Sequence, residues 1–174
     1  TPVAAVAVSR AVESLCDTDC GIKWCNDVVL HGKKLCGILT ESSLLPDGSA
    51  AWLVVGIGVN VGQASFPPDI ADMATSLALQ ELDVSPDALA DAILAQLTAM
   101  RTVLTDPAEW LAEYRRRCVN LGRPVRVLRG NTVRQATALA IDEQFGLTVQ
   151  YENGETETVR SGEVSVRGLY GYIE

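Results

Sequence analysis

Histidine is almost absent from this sequence: His31 is the only one among 174 residues. A Ser-His-Asp triad needs an imidazole as its base, and a histidine-rich metal centre needs several. The composition therefore argues against both kinds of site.

The sequence also lacks the cysteine patterns of a disulfide framework or a zinc site. Its five cysteines are an odd number, and none of them forms a C-x-x-C pair. Secreted disulfide frameworks use even numbers of cysteines, and structural zinc sites use closely paired ones. We therefore predict reduced thiols, no protein metal site and a cytoplasmic location.

Long apolar runs and an excess of basic charge are missing as well. The longest apolar run, residues 50–59, contains two glycines and is far shorter than the roughly 20 residues that a membrane helix needs. Lys and Arg number 14 against 22 Asp and Glu, for a net charge of −8, whereas proteins that bind nucleic acid nonspecifically need basic surface. We expect no membrane span and no nucleic-acid partner.

What remains is the composition of an ordinary globular protein, with 48% hydrophobic and 21% charged residues. The patterns predict a helix over 3–15, strands within 22–30, 35–45 and 51–61, and two amphipathic helices starting near Pro86 and Pro107. The apolar run 51–61 predicts a strand buried on both faces. Short alternating strands over 124–174 predict a small β-barrel. The fold class is α+β: a mixed β-sheet with flanking helices in residues 1–119, then a barrel in residues 120–174.

Two lysine-bearing segments form the densest group of reactive side chains. They are Lys23-Trp24-Cys25-Asn26-Asp27 and Gly32-Lys33-Lys34-Leu35-Cys36-Gly37. As neighbouring strands of a hairpin they would aim Lys23 and Lys34 at one pocket, which suits a carboxylate or phosphate ligand. The alternative is that the lysines only solvate the hairpin.

A glycine-containing strand end follows, Gly56-Ile57-Gly58-Val59-Asn60-Val61. Glycines let a ligand approach the backbone, and the Asn60 amide can both donate to and accept from a heterocycle. A dinucleotide fingerprint is disfavoured, because Val61 replaces its third glycine and a loop follows. Close packing of the strand is the alternative reading.

Together with the terminal segment Gly162-Glu163-Val164-Ser165-Val166-Arg167, these motifs resemble the biotin protein ligases in order and spacing. The resemblance extends through the residues after Lys34, Leu35-Cys36-Gly37-Ile38-Leu39-Thr40-Glu41, and through Thr75-Ser76-Leu77. It covers nearly the whole chain. It implies a biotin/lipoate ligase-like catalytic domain followed by a Src-homology-3-like barrel.

The resemblance implies that biotin and Mg-ATP react to biotinyl-adenylate, and that the biotinyl group then passes to a lysine of a biotin carboxyl carrier protein. Lys34 matches the lysine at the biotin carboxyl, and Lys23 matches the one at the phosphate. The other matched positions bind biotin or the adenylate: Asn26, Asp27, Gly37, Gly56, Gly58, Val59 and Asn60. A homodimer is compatible with the resemblance.

Three departures from the family pattern leave alternatives open. Cys25 stands where the family has proline, and Cys36 where it has alanine. The family's Gly-Arg-Gly-Arg-x-Gly-Arg loop, which closes over biotin and the adenylate, has no match, so the chain looks like a ligase without its first part. An inactive ligase-derived binding module and a lipoate ligase relative therefore compete with an active biotin ligase. Cys25, next to Lys23, is either a thiol with a depressed pKa or an inert buried one.

Overall fold

The computed structural model describes residues 1–100 and 107–160, together with the backbone of residues 165–168. The helices are α1 Pro2–Leu15, α2 Pro86–Ala99 and α3 Ala108–Arg117, with a 3-10 helix at Ala78–Gln80. The strands are β1 Gly21–Lys23, β2 Asp27–Leu30, β3 Lys33–Leu44, β4 Ala50–Val59, β5 Pro124–Arg129, β6 Thr132–Ile141, β7 Leu147–Tyr151, β8 Thr156–Val159 and β9 Ser165–Gly168.

The predicted helices are confirmed, and local chemistry explains where they begin. Pro2 and Pro86 each occupy the start of a helix, where proline's fixed φ is favourable and its missing N–H is not needed. The Ser85 hydroxyl accepts a hydrogen bond from the Ala88 amide at 3.1 Å and caps α2. Apolar residues at helical spacing continue from Leu89 to Leu104 in the sequence, and Leu104 lies outside the described residues.

The first sheet has the strand order β1-β2-β3-β4, and its ladders are antiparallel. Two isolated parallel bridges, Ile22 with Cys118 and Lys34 with Ala74, join it to later segments. The main sheet contacts of α1 and α3 fall on β1 and β2, where the core lies. No helix within 1–100 or 107–160 is long and apolar enough to cross a membrane.

The prediction that residues 51–61 form a strand buried on both faces is wrong. Strand β4 exists, but its side chains from Ala50 to Val55 are exposed, with Trp52 at 52% and Leu53 at 60%. The reason is its place in the sheet: β4 pairs only with β3 in the described structure, and the helices cover the opposite end. An apolar sequence run therefore forms an exposed sheet edge, which favours pairing with other surfaces.

We expect the exposed β4 edge to support self-association of this chain and Leu53→Lys to weaken it. Burying a leucine contributes about 1.5–3 kcal/mol, so its loss should lower the association constant by at least about tenfold. Sedimentation velocity over a concentration series measures the change. The control is Leu94→Lys on α2, because Leu94 is also 60% exposed. Equal effects of the two substitutions would contradict a role for the β4 surface.

The second sheet has the order β8-β7-β6-β5-β9 and forms the small Src-homology-3-like barrel. Its β9 pairs antiparallel with β5, with Arg167 opposite Arg126. Residues 162–164 of the terminal motif lie outside the described residues. The division of the chain between residues 119 and 120 stays a prediction.

A buried ionic network ties α1 to α3. Arg117, whose side chain is only 4% exposed, donates to both oxygens of Glu13 and to Glu113. Its guanidinium also donates to the Cys20 carbonyl at 3.2 Å. Hydrogen bonds from Arg116 and Arg117 lower the pKa of Glu113 to about 2. Burial acts in the opposite direction, because it disfavours the ionised carboxylate, but its effect is smaller than that of the hydrogen bonds and charges together.

This network predicts that stability falls in acid. A Glu113 carboxyl in the unfolded chain takes up a proton near its ordinary pKa of 4.5, whereas the folded protein holds it ionised down to about pH 2. Its contribution is therefore present above about pH 4.5 and is lost as the pH falls toward 2. Urea unfolding of the parent at pH 6 and pH 3 tests this, with Glu113→Gln as the control. A decline that is equally steep in Glu113→Gln would show that Glu113 is not responsible.

Candidate functional site

The predicted site residues lie in one row across the first sheet. Lys23 pairs with Asp27, Asp27 pairs with Gly37, and Gly37 pairs with Gly58. Directly opposed residues of antiparallel strands point to the same face, so these four positions share one face of the sheet. We call them the lysine row. Lys23 and Asp27, at the β1 end of the row, are both buried.

Lys34 joins the row from β3. Its Nζ lies 2.6 Å from Asp27 Oδ1, and its side chain is 38% exposed. A Cβ at Gly37 would lie 3.1 Å from both Cε and Nζ of Lys34, so the glycine makes room for the lysine. A side chain at position 37 would require the end of Lys34 to shift by a few tenths of an ångström.

That the two lysines aim at one pocket stays a prediction, and the strand arrangement differs from the predicted one. We expected their strands to be direct neighbours, whereas β2 lies between β1 and β3. Asp27 lies between the two lysines in the sheet: its backbone is in register with Lys23, and its carboxylate is ion-paired with Lys34. Lysines placed around one carboxylate suit an anionic ligand.

Gly56 and Gly58 leave the backbone of β4 without side chains at two positions, and we call these two residues the glycine strip. They are two residues apart, so they share the face of the lysine row. An added Cβ would meet nothing closer than 3.7 Å at Gly56 and 3.8 Å at Gly58, which is ordinary contact. Packing among the described residues therefore does not require glycine here, and the close-packing alternative is disfavoured. That the two glycines leave room for a ligand against the strand stays a prediction.

The side chains of the two asparagines in the predicted site donate hydrogen bonds to backbone carbonyls. Asn26 Nδ2 donates to the Ile38 carbonyl at 2.9 Å, and the Ile38 amide donates back to the Asn26 carbonyl at 3.0 Å. Asn60 Nδ2 donates to the Thr75 carbonyl at 3.0 Å, which fastens the end of β4 to the loop. Val59 is half-buried opposite Cys36.

Both cysteines at the site have raised pKa values. Burial raises the pKa of the Cys25 thiol, and burial together with the Asp27 charge raises that of Cys36 to about 12. Of the two alternatives for Cys25, the depressed pKa is therefore wrong and the inert thiol is favoured, because loss of hydration dominates. Cys25 follows Trp24 through a cis peptide bond. All five cysteines are free thiols.

Three supporting residues were missed by the sequence reasoning. The Tyr114 hydroxyl donates to the Cys25 carbonyl at 3.2 Å, and Asn120 Oδ1 accepts from the Trp24 amide at 2.6 Å. The Phe145 carbonyl accepts from Trp24 Nε1 at 2.8 Å. These partners are 89 to 121 residues from the segment they hold, so no local pattern signals them. In the described parts of the chain, no three His, Cys, Asp or Glu side chains cluster closely enough to bind a metal ion.

Two family models match the chain. The Biotin/lipoate A/B protein ligase family matches residues 3–60, which contain the whole lysine row. The Biotin protein ligase C terminal domain matches residues 121–167, which contain β5 to β8 and most of β9.

Individual proteins agree with these models. The biotin–acetyl-CoA-carboxylase ligase of Paracoccus denitrificans is 31% identical over 179 residues, covering 95% of this chain and 72% of that protein. The enzyme of the same name from Mycobacterium tuberculosis is 36% identical over 149 residues, covering 83% of this chain and 52% of that protein. The chain spans no more than about half the length of several such relatives.

Among solved structures, the Aquifex aeolicus biotin protein ligase in complex with biotin and ATP superposes with a TM-score of 0.80 at 27% identity. That match covers 95% of this chain and 69% of the Aquifex chain. Sequence motifs, fold and relatives agree over nearly all of the chain, which belongs to the biotin protein ligase family.

Proposed function

We propose that this chain carries the biotin-activating centre of a biotin protein ligase. The observation that carries the proposal is the lysine row, in which Lys34 is ion-paired with Asp27 and Lys23 is in register with Asp27, beside glycines that leave the strand backbone bare. The Aquifex relative, solved with biotin and ATP, supports both ligands for this chain.

The first step joins two anions. A carboxylate oxygen of biotin attacks the α-phosphorus of ATP, a P–O bond forms, and the bond to pyrophosphate breaks. Repulsion between carboxylate and phosphate is the main obstacle, so the rate gain comes from charge neutralisation and alignment. Lys34 holds the biotin carboxylate, and Lys23 stabilises the charge on the α-phosphate.

The glycine strip lies where the ligands need close contact with the backbone. Biotin runs along Gly37, Gly56, Gly58 and Val59, and the adenylate reaches Asn60 at the end of β4. Mg²⁺ arrives with the ATP phosphates, which it usually binds together with several waters and few protein carboxylates. It adds charge neutralisation to that of the two lysines.

The second step transfers the biotinyl group. The amine of a lysine on a biotin carboxyl carrier protein attacks the carbonyl of the mixed anhydride, an amide bond forms, and AMP leaves. Asp27 orients both lysines of the site and faces the incoming neutral amine, whose proton passes to solvent as the amide forms, and Asn26 keeps this turn fixed to β3. The free thiols fit a cytoplasmic enzyme, because cytoplasmic reductants keep cysteines reduced. The exposed β4 edge fits a homodimer or a covering segment.

An inactive binding module is the second candidate, because the Gly-Arg loop has no match in these 174 residues. Without a segment that closes over the ligand, water competes for each hydrogen bond, and we expect weak biotin binding by this chain alone. A lipoate ligase is less well supported, because the C-terminal model and the named relatives concern biotin.

The test is biotin-dependent release of pyrophosphate from Mg-ATP, measured for the complete gene product and for the 174-residue chain. We expect release by the complete product with biotin, little with lipoate, and a mass increase of an added apo carrier protein. Release only with lipoate would favour the lipoate alternative. Biotin binding without release in the complete product would favour the binding module.

A further inference from the structure

The segment that follows Lys23 is held by parts of the chain far away in sequence. Trp24 is 5% exposed, and its amide donates to Asn120 Oδ1 while its indole Nε1 donates to the Phe145 carbonyl. The next carbonyl, that of Cys25, accepts from the Tyr114 hydroxyl. Trp24 and Cys25, which follow Lys23, are thus held by three hydrogen bonds. The partners lie on α3, in the connection between α3 and β5, and in the barrel.

The barrel's contribution comes from a tight turn, residues 142–146. Asp142 Oδ1 accepts from the Gln144 amide at 2.8 Å and from the Gly146 amide at 2.7 Å, and Arg160 donates to Asp142 Oδ2 at 2.8 Å. A Cβ on Gly146 would lie 2.7 Å from Thr158 Cγ2, so this position has no space for a side chain. The turn is therefore fixed to its own sheet.

Phe145 connects this turn to the site in two ways. Its φ of 61° turns the backbone so that its carbonyl reaches the Trp24 indole. Its ring packs edge-on against Tyr114, with centroids 5.4 Å apart at 86°. Tyr114 in turn donates to the Cys25 carbonyl. The carbonyl of Phe145 therefore holds Trp24 directly, and its ring supports the tyrosine that holds Cys25.

We propose that the 142–146 turn of the barrel is a positioning element for the reaction, with the Phe145 carbonyl fixing Trp24 and, through it, the neighbouring Lys23. The proposal rests on the role of the lysine row given above. Lys23 is the last residue of β1, and its register against Asp27 depends on where Trp24 is anchored. A displacement of about 1 Å at a reacting centre can cost on the order of 100-fold in rate.

Trp24→Phe tests the proposal, because it removes the indole donor and keeps an aromatic ring. In the complete gene product we expect the kcat of pyrophosphate release to fall about 10- to 100-fold, with the KM for ATP and for biotin within threefold, since a transition-state contact is lost. Tyr114→Phe should lower kcat in the same way. The double variant should lose less than the product of the two single losses, because both hold one segment.

The matched control is Trp110→Phe, the same chemical change at a tryptophan that is 2% exposed on α3 and stacks with Arg10. It should leave kcat within twofold. An unchanged kcat in Trp24→Phe would overturn the proposal. So would a loss that is matched by Trp110→Phe, because that would indicate general loosening of the core.

A second measurement does not depend on activity. Asp142→Ala releases the turn, and indole N–H exchange followed by NMR should become at least tenfold faster for Trp24 while remaining unchanged for Trp110. Unchanged exchange at Trp24 in a folded variant would overturn the proposal. If the parent forms no adenylate but Trp24 exchange responds to Asp142→Ala, the proposed ligase function has failed and the coupling between turn and segment stands.

Discussion

Replacing Lys34 by alanine is expected to lower biotin-dependent pyrophosphate release by about 100- to 1000-fold in the complete gene product. The reason is that the first step brings a carboxylate against a phosphate, and a fixed charge that stabilises such a transition state contributes this much. Lys34 is placed for that task, because its Nζ is held at 2.6 Å by Asp27 over a glycine that makes room for it. The fold should persist, since Asp27 still faces Lys23.

Lys33→Ala is the control for this substitution. Lys33 is the preceding residue and carries the same charge, but its Nζ donates to the Ala71 carbonyl at 3.2 Å in the loop after β4. We expect it to retain activity within twofold. If Lys34→Ala also kept pyrophosphate release within threefold, the assignment of Lys34 to the biotin carboxylate would be wrong.

Arg117→Ala should lower the free energy of unfolding by about 3–5 kcal/mol. Removing one partner of a buried ion pair leaves the other charge without compensation, and this costs far more than the pair itself contributes. Arg117 satisfies Glu13, Glu113 and the Cys20 carbonyl at once, so its removal leaves two carboxylates and a carbonyl without that partner. Urea unfolding at pH 7 measures the change.

Arg116→Ala is the matched control, because Arg116 binds the same Glu113 from a position that is 61% exposed. Exposed pairs of this kind contribute about 0–1 kcal/mol. A comparable loss in both variants would mean that burial of Arg117 is not what makes it important.

Much of this molecule could be predicted from local sequence. Proline at the start of α1, and Ser85 with Pro86 at the start of α2, determine where those helices begin, because capping involves only residues within one turn. The spacing of the four motifs identified the family, and the relatives confirm it. The motif residues also predict that Lys23 and Lys34 act on one anionic ligand, because neighbouring cations suit an anion, and this stays a prediction.

Only the tertiary structure decided how those residues are assembled. It put β2 between the two lysine-bearing strands and paired Lys34 with Asp27 of β2, since strand order depends on pairing between distant segments. It placed apolar β4 at the sheet edge, because burial of a strand depends on what packs against it and not on its own side chains. It also raised the pKa of Cys25, because in the fold burial is the largest influence on this thiol. The hydrogen bond from Trp24 to Phe145 spans 121 residues, a distance over which sequence periodicity carries no information.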